Sequence, residues 1–451
     1  MLIANRGEIA CRIIRSCKAL GLETIAVHSE ADAGALHVEL ADGAEPIGPA
    51  PARQSYLDMD AVIAAAKAAE VDAIHPGYGF LAENPRFAER VEAEGLVWIG
   101  PRPKTIEDMG DKERARLLAK AAGLPVLPGS PRFAPEDLSG LEDEAVRVGY
   151  PLLVKAAAGG GGIGMQRVEE PEKLRGVVES TQGMAARAFG DGTVYLERFI
   201  PKARHVEIQI FGLGDGRAVH LFERDCSIQR RYQKIIEETP APGLSDTTRR
   251  AMSEAATALA AQERYRGAGT IEFVVDATTK EFFFLEMNTR IQVEHPVTEM
   301  TTGHDLVALQ IRLARGDDLS ELTQDGIRQR GHAIECRIYA ENPARMFLPS
   351  PGPLDVFRLP EPGAEVRVDT GVREGDRITP HYDPLIAKLI CRGADREEAT
   401  LRSLAALRAS AIAGIHSNLR FLIEVLQHPA FRAGDVHTGF VEAHRSELFA
   451  T

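Results

Sequence analysis

Cysteine is scarce in this chain, with five in 451 residues (Cys11, Cys17, Cys226, Cys336, Cys391), an odd number and widely scattered. No Cys-x-x-Cys pair or Cys/His grouping at zinc spacing occurs, so a zinc module is not expected and a reduced cytoplasmic compartment is the simplest account. Basic runs longer than a few residues are missing, and the formal net charge is -13. A nucleic-acid partner is therefore disfavoured, because neutralising phosphates needs a basic face, although local basic sites for a small anion remain open. No apolar stretch approaches the length of a membrane span, and Asn5, Arg6 and Glu8 interrupt the first apolar run, so neither a membrane segment nor a signal peptide is expected. Tandem repeats and low-complexity tails are absent as well.

What is present is the balance of a globular protein with a substantial core: 44% hydrophobic and 26% charged residues, in a length that suggests two to four domains. The first hundred residues alternate short apolar runs (2–4, 24–28, 72–75, 97–100) with helical patterns, such as 60–69, 84–93 and the Ile9, Ile13, Ile14, Cys17, Leu20 series. That alternation predicts a parallel sheet with covering helices. The turn after the first run, Asn5-Arg6-Gly7-Glu8, lacks the Gly-x-Gly-x-x-Gly of a dinucleotide site. A loop from His75 to Glu83 follows a strand, where open sheets place ligand loops. Gly129-Ser130-Pro131 and the acidic stretch 136–144 look like a linker into a second unit with strands over 151–155, 165–168 and 194–199 and a helix over 247–262. Beyond about Gly331 the strands are expected to shorten, and helices over 396–411 and 418–426 close a third, α+β unit.

The densest functional signal runs from Glu286 to Glu294, where Glu286, Asn288, Arg290, Gln292 and Glu294 alternate with Met287, Thr289, Ile291 and Val293. An extended strand would align the five polar groups on one face. A solvated edge strand would alternate too, but the residue types suit a metal (two carboxylates and an amide) followed by an anion. A hairpin whose first strand contains Glu272 could set that residue opposite Glu286 or Asn288, giving hard oxygen ligands for Mg²⁺. The segment from Lys155 to Met165 holds Gly159, Gly160, Gly161, Gly162 and Gly164 between two strands, and its backbone amides could cradle an anion. It lacks Walker spacing, and a flexible turn with no ligand is the alternative. Arg224, Arg230, Arg231 and Lys234 form a basic cluster that either surrounds phosphates or is a solvated surface. Cys226 and Cys336 read as buried fillers rather than reactive thiols. Glu335 and Arg337 share a strand face, either as a structural ion pair or with Arg337 in a site.

Together these motifs resemble the biotin carboxylase component of biotin-dependent carboxylases, a branch of the ATP-grasp superfamily. The resemblance covers nearly the whole chain through Ile-Ala-Asn-Arg-Gly-Glu-Ile, His-Pro-Gly-Tyr-Gly-Phe-Leu-x-Glu-Asn, Arg-Asp-Cys-Ser-x-Gln-Arg-Arg, Tyr-Arg-Gly-Ala-Gly-Thr and the Glu-Met-Asn-Thr-Arg-Ile-Gln-Val-Glu-His run. It implies an α/β and α+β architecture: a doubly wound N-terminal domain (1–110), an ATP-grasp domain (111–328) with a mobile lid over about 131–203, and a C-terminal α+β domain (329–451). By the same resemblance, Lys112, Lys155, Gly161, Gly162, His205, Gln229 and Tyr232 contact ATP, and the stretch Glu197, Arg198, Phe199, Ile200 receives the adenine. Glu272 and Glu286, with Asn288, would hold Mg²⁺ or Mn²⁺, as two ions. Bicarbonate would sit on Lys234, Arg290, Gln292 and the Val293 backbone, with Glu294 as general base and Arg337 beside the enolate-like biotin. Ala158, Ile163, Arg198 and Tyr232 depart from residues common in the family.

The implied reaction is ATP-dependent carboxylation of biotin through carboxyphosphate, the first half-reaction of an acyl-CoA carboxylase. Another ATP-grasp ligase and a non-catalytic assembly subunit are the competing readings. Arg-x-Gln-x-Glu-His counts against the first, and the intact metal ligands and base count against the second. No Met-Lys-Met occurs, so biotin is expected on a separate carrier domain or on a segment outside this sequence. A carboxyltransferase subunit and a homodimer or larger carboxylase complex are the other implied partners.

Overall fold

Short apolar strands separated by one-faced helices have few stable arrangements besides a parallel sheet covered on both sides. The computed structural model describes residues 1–157 and 164–449. Its N-terminal sheet has five parallel strands, Leu2–Ile3, Ile25–His28, Gly43–Pro46, Ala73–His75 and Val97–Trp98, in the spatial order third, second, first, fourth, fifth. Strand order reverses beside Leu2–Ile3, which makes the sheet doubly wound and places the His75–Glu83 loop at the reversal. Gly43–Pro46 is a strand that sequence patterning misses. It lies at the edge, and Gly-Ala-Glu-Pro carries no apolar run because an edge strand need not bury both faces. Helix Gly7–Ala19 buries Ile9, Ile13, Ile14 and Cys17. Its first turn is approached so closely by Gly371 that a Cβ there would lie 2.2 Å from the Gly7 carbonyl carbon.

The described residues form two compact units. The first comprises 1–124, 204–273 and 286–451, and the second 125–203 with 274–285. An eight-stranded sheet runs in the order Phe282–Asn288, Arg266–Asp276, Ala203–Leu213, Ala218–Arg230, Gln233–Thr239, His332–Tyr339, Leu385–Gly393, Val366–Thr370. Strands do not uniformly shorten beyond Gly331. His332–Tyr339 and Leu385–Gly393 have eight and nine residues and lie inside this sheet. Their charged residues (Glu335, Arg337, Lys388) are buried among other charges, so the sequence looks more polar than a central strand usually does. Helices Arg396–Ala409 and Leu419–Gln427 cover this end and bury Leu404, Leu407, Phe421, Leu422 and Val425.

In the second unit, four antiparallel strands are ordered Gly129–Phe133, Val194–Arg198, Leu152–Ala156, Met165–Val168, beside helices Leu141–Val148 and Leu174–Phe189. The expected linker is therefore structured. Gly129–Phe133 is an edge strand, and Pro131 falls where its register slips between Gly129 and Arg132, the place a sheet tolerates proline. The acidic stretch puts Glu142, Asp143 and Glu144 in the first helical turn, where negative charge meets the positive end of the helix dipole.

One buried ion pair of the large sheet carries a pH prediction. Glu238 accepts from His332 Nε2 at 2.8 Å and from Arg396 Nε and Nη2 at 2.7 and 2.9 Å. Burial favours its protonation, but His332 and Arg396 outweigh it and hold the carboxyl at about 2, against 4.5 unperturbed. A depressed folded-state pKa stabilises the fold above the unfolded value and is lost as pH falls through the folded one. That difference is worth about 3 kcal/mol, present at neutral pH and lost between about pH 5 and 2. Glu238→Gln should lower stability near pH 7 and flatten the acid limb. Equal acid sensitivity of variant and wild type in denaturant titrations at pH 7 and pH 4 would sink the assignment.

Candidate active site

Strand Phe282–Asn288 ends before the polar series does, so the expected single strand face over Glu286–Glu294 is corrected. Residues 289–294 are irregular and lead into helix His295–Thr302, with Glu294 at its N-cap. Alternation survives in the loop because Ile291 is fully buried and anchors it, while Gln292 and Glu294 turn inward. The His295 Nδ1–H donates to the Gln292 carbonyl at 2.7 Å, and burial, helped by the nearby Lys388, Arg12 and Arg367 charges, keeps that imidazole neutral. Lys388 Nζ donates to the Val293 carbonyl at 2.8 Å. On the other side, Glu83 accepts from Thr289 N at 3.1 Å and Arg290 Nε at 2.8 Å, tying the loop to the ligand loop of the parallel sheet.

Lys234 stands at the centre. Its Nζ lies 2.6 Å from Glu207 Oε2, 2.7 Å from Glu272 Oε1 and 2.8 Å from Glu294 Oε1. Burial opposes its charge, but these three carboxylates hold the ammonium well above the ordinary lysine range. Glu294 receives Arg337 Nη2 on its other oxygen at 2.9 Å. Burial would raise its pKa, yet Lys234, Arg337 and Arg224 hold it well below the ordinary carboxylate range, so it is ionised. Arg290 Nη2 donates to Asn288 Oδ1 at 3.1 Å and its Nη1 to Gln292 Oε1 at 3.3 Å. Asn288 and Gln292 donate in turn to Glu272 Oε1 at 2.9 and 3.1 Å. The structure thus joins Lys234, Glu272, Asn288, Arg290, Gln292, Glu294 and Arg337 in one hydrogen-bonded group.

Metal binding suits part of this group. Burial raises the Glu286 carboxyl, and the charge of Glu272 raises it further. Burial would raise Glu272 too, but Lys234 and His205 hold it well below the ordinary carboxylate range. An ionised carboxylate thus acts on Glu286 beside an amide oxygen, a hard-oxygen donor set whose repulsion a divalent cation would remove. His205 Nε2 stands 2.9 Å from Glu272 Oε2, and its Nδ1 is 3.2 Å from Gln229 Nε2. His205, Glu207 and Glu272 also place one ligand atom each within 4.8 Å of one another.

The other expected ligand residues divide. Lys112 is exposed at the start of helix Lys112–Ala121, and its charge lowers the Glu286 pKa. In the second unit, Lys155 Nζ donates to Glu197 Oε1 at 2.7 Å, Arg198 Nε donates to the Val148 carbonyl at 3.1 Å, the Arg167 guanidinium stacks 4.2 Å from the Phe199 ring, and Ile200 is buried. Gly161 and Gly162, with Ala158 and Ile163, lie outside the described residues. Tyr232 is 78% exposed at the tip of a two-residue hairpin, where it and Arg231 have φ of +64° and +49°. The basic cluster is not one surface. Arg224 is buried, Arg230 pairs with Glu341, Arg231 is exposed and only Lys234 enters the group above. Arg337 forms an ion pair, but with Glu237 (2.7 Å) and Glu294 rather than Glu335. Cys226 and Cys336 are fully buried, and burial pushes both thiols well above the usual range.

Sequence reasoning missed Glu207, Glu83, Glu237 and Lys388. For Glu207 a signal existed: His205, Glu207 and Gln209 alternate with Val206, Ile208 and Ile210 in strand Ala203–Leu213, a polar face too charged for a core without partners.

Three family models match the chain: "Biotin carboxylase, N-terminal domain" over residues 1–106, "Carbamoyl-phosphate synthase L chain, ATP binding domain" over 111–322, and "Biotin carboxylase C-terminal domain" over 335–443. Biotin carboxylase 2 of Bacillus subtilis is 50% identical over 447 residues, covering 98% of this chain and 99% of that protein. The mitochondrial methylcrotonoyl-CoA carboxylase subunit alpha of Mus musculus is 48% identical over 450 residues, covering 99% of this chain and 62% of that subunit. The chain thus spans about three-fifths of the length of such subunits. Among solved structures, the biotin carboxylase domain dimer of Hydrogenobacter thermophilus 2-oxoglutarate carboxylase, in complex with MgADP, ADP and bicarbonate, superposes with a TM-score of 0.90 at 43% identity, covering 99% of this chain and 98% of that one.

Proposed function

Because this chain belongs to the biotin carboxylase family, we propose that it uses ATP and bicarbonate to carboxylate biotin, releasing ADP and phosphate. The observation that carries this reading is the Lys234–Glu294–Arg337 chain of contacts at 2.8 and 2.9 Å, a buried base flanked by two cations. Bicarbonate is a weak nucleophile, and its attack on the γ-phosphate brings two anions together. Lys234, Arg290 and Gln292, with the Val293 backbone, would hold bicarbonate, and Glu294 would take its proton. The cations that keep Glu294 ionised also make it a weak base. Its proton affinity rises when Lys234 turns towards an arriving bicarbonate, which couples basicity to substrate binding. Carboxyphosphate would then break down to CO₂ and phosphate, the phosphate would take the ureido proton of biotin, and Arg337 would stabilise the oxyanion.

Glu272, Glu286 and Asn288 would hold Mg²⁺ or Mn²⁺, as two ions, supplying charge neutralisation at the transferring phosphoryl group. Lys112, His205, Lys155 and residues 197–200 are the proposed ATP contacts, and Gln229 acts through its contact with His205. Tyr232, exposed at its hairpin tip, is a further proposed ATP contact. A biotin carboxyl carrier domain, a carboxyltransferase subunit and a second copy of the chain are the proposed partners, and a cytoplasmic setting the proposed location. Among the described residues no helix is long and apolar enough to cross a membrane.

The test is ADP release with Mg²⁺, with and without bicarbonate and free biotin. Bicarbonate-dependent, biotin-stimulated turnover is the expected result. Turnover indifferent to both would overturn the reading.

A further inference from the structure

Behind Glu294, antiparallel strands Gln233–Thr239 and His332–Tyr339 set Glu237 directly opposite Glu335. Both are completely buried. Directly opposed residues share a sheet face with Cβ atoms about 4.5–5.5 Å apart, where two carboxylates repel. Arg337 lies two residues beyond Glu335 on the same face, and its guanidinium divides between two acids: Nε 2.7 Å from Glu237 Oε1, Nη2 2.9 Å from Glu294 Oε2. The strand under it is pinned by Asn418, whose Nδ2 donates to the Arg337 carbonyl at 2.9 Å and whose Oδ1 accepts from Tyr339 N at 2.8 Å. Neither oxygen of Glu335 nor of Glu237, nor Arg337 Nε, has a hydrogen-bond partner among the described residues, so Glu237 holds the Nε edge of Arg337 as an ion pair at 2.7 Å. The nearby cation Lys388 is engaged by the Val293 carbonyl at 2.8 Å and by Glu8 at 3.0 Å.

We propose that Glu237 is a positioning residue for the carboxylation of biotin, anchoring the Nε edge of Arg337 so that the other edge faces the reacting groups. This rests on the function proposed above. A guanidinium presents donors in a fixed planar fork, so an acid on one edge sets the direction of the other. The anchor matters most when Glu294 takes up the bicarbonate proton. Arg337 then loses one of its two carboxylate partners, and Glu237 is the acid that remains on its Nε edge, beside Tyr339, to keep it oriented for the oxyanion on biotin. Glu335 makes this affordable by remaining a neutral acid: burial pushes its carboxyl well above the usual range, more than Lys388 offsets. Burial raises Glu237 as well, with Arg337 opposing it, but only to about 7.

Steady-state ADP release would be compared for wild type, Glu237→Gln, Glu237→Asp and Glu335→Gln, each with bicarbonate and with or without biotin. Arg337 serves the biotin step, so Glu237→Gln should lower the biotin-dependent kcat by about tenfold or more, the scale of a small misplacement of a reacting group. Bicarbonate-dependent turnover without biotin should stay within about twofold of wild type. Glu335→Gln, which mimics a neutral acid, should leave both rates and the Tm near wild type. Glu237→Asp retains the charge one methylene further back and should show the same selective loss in smaller measure. It decides the matter should Glu237→Gln fail to fold. Proportional loss of both rates, or no loss, in the Glu237 variants would overturn the inference. A wild-type chain without biotin stimulation would instead overturn the function on which it rests.

Discussion

Glu294→Gln should reduce bicarbonate-dependent ATP turnover by about 10²- to 10⁴-fold, the contribution of a positioned general base. Glutamine keeps the size of the side chain and one acceptor oxygen, so the loss reports proton transfer rather than a cavity. Folding should survive the change. Lys234 retains Glu207 and Glu272 at 2.6 and 2.7 Å, and Arg337 retains Glu237 at 2.7 Å. The cluster would keep its cations paired while losing its base. With Glu294 held well below the ordinary carboxylate range by its cations against burial, its base form is already present in the free enzyme at neutral pH. The kcat/KM for bicarbonate should therefore show no loss from this group on lowering the pH from 8 to about 6. Turnover by Glu294→Gln above about a tenth of wild type would remove Glu294 from the role of base.

Arg224→Met carries the largest expected effect on stability, about 3–5 kcal/mol, because it breaks a buried ion pair from one side. Arg224 is completely buried. It donates to Glu207 at 2.6 Å, Gln209 at 2.6 Å, Thr298 at 3.0 Å and Thr270 at 3.1 Å. Methionine approximates the aliphatic part of arginine but satisfies none of these groups, and it leaves Glu207 with Lys234 as its cationic neighbour. Arg231→Met, at the exposed hairpin tip only seven residues away in sequence, should change stability by about 0.5 kcal/mol or less. Urea midpoints of the two variants make the comparison, and matching midpoints would show that the buried pair contributes nothing. Activity should fall in Arg224→Met as well, since Glu207 and Thr298 flank Lys234 and the Glu294 helix.

The contrast between Arg224 and Arg231 shows where sequence reading stopped. Four basic residues in eleven positions (224–234) looked alike, yet one is a core strut, one pairs with Glu341, one is solvent-exposed and one reaches the reacting group. Spacing along a strand assigns a face, but it does not say which face is covered. The linker over 129–144 was misread for a related reason. Pro131 and a run of acids usually mark loops, and here they occupy a bulged sheet edge and a helical first turn, where neither offends.

By itself, the order of residues determined the alternating α/β opening, the family to which the chain belongs, and most of the residues gathered around Lys234. The first rests on local periodicity, and the other two on motifs of fixed spacing and on the family resemblance those motifs carry. Only the tertiary structure decided that Glu207, Glu83, Glu237 and Lys388 join them and that the polar series leaves its strand after Asn288. It also decided that Arg337 faces Glu237 and Glu294 instead of Glu335. Those outcomes depend on contacts between segments distant in sequence. A buried charge selects whichever partner the fold brings within reach, because leaving it unpaired costs more than almost any local preference can offset.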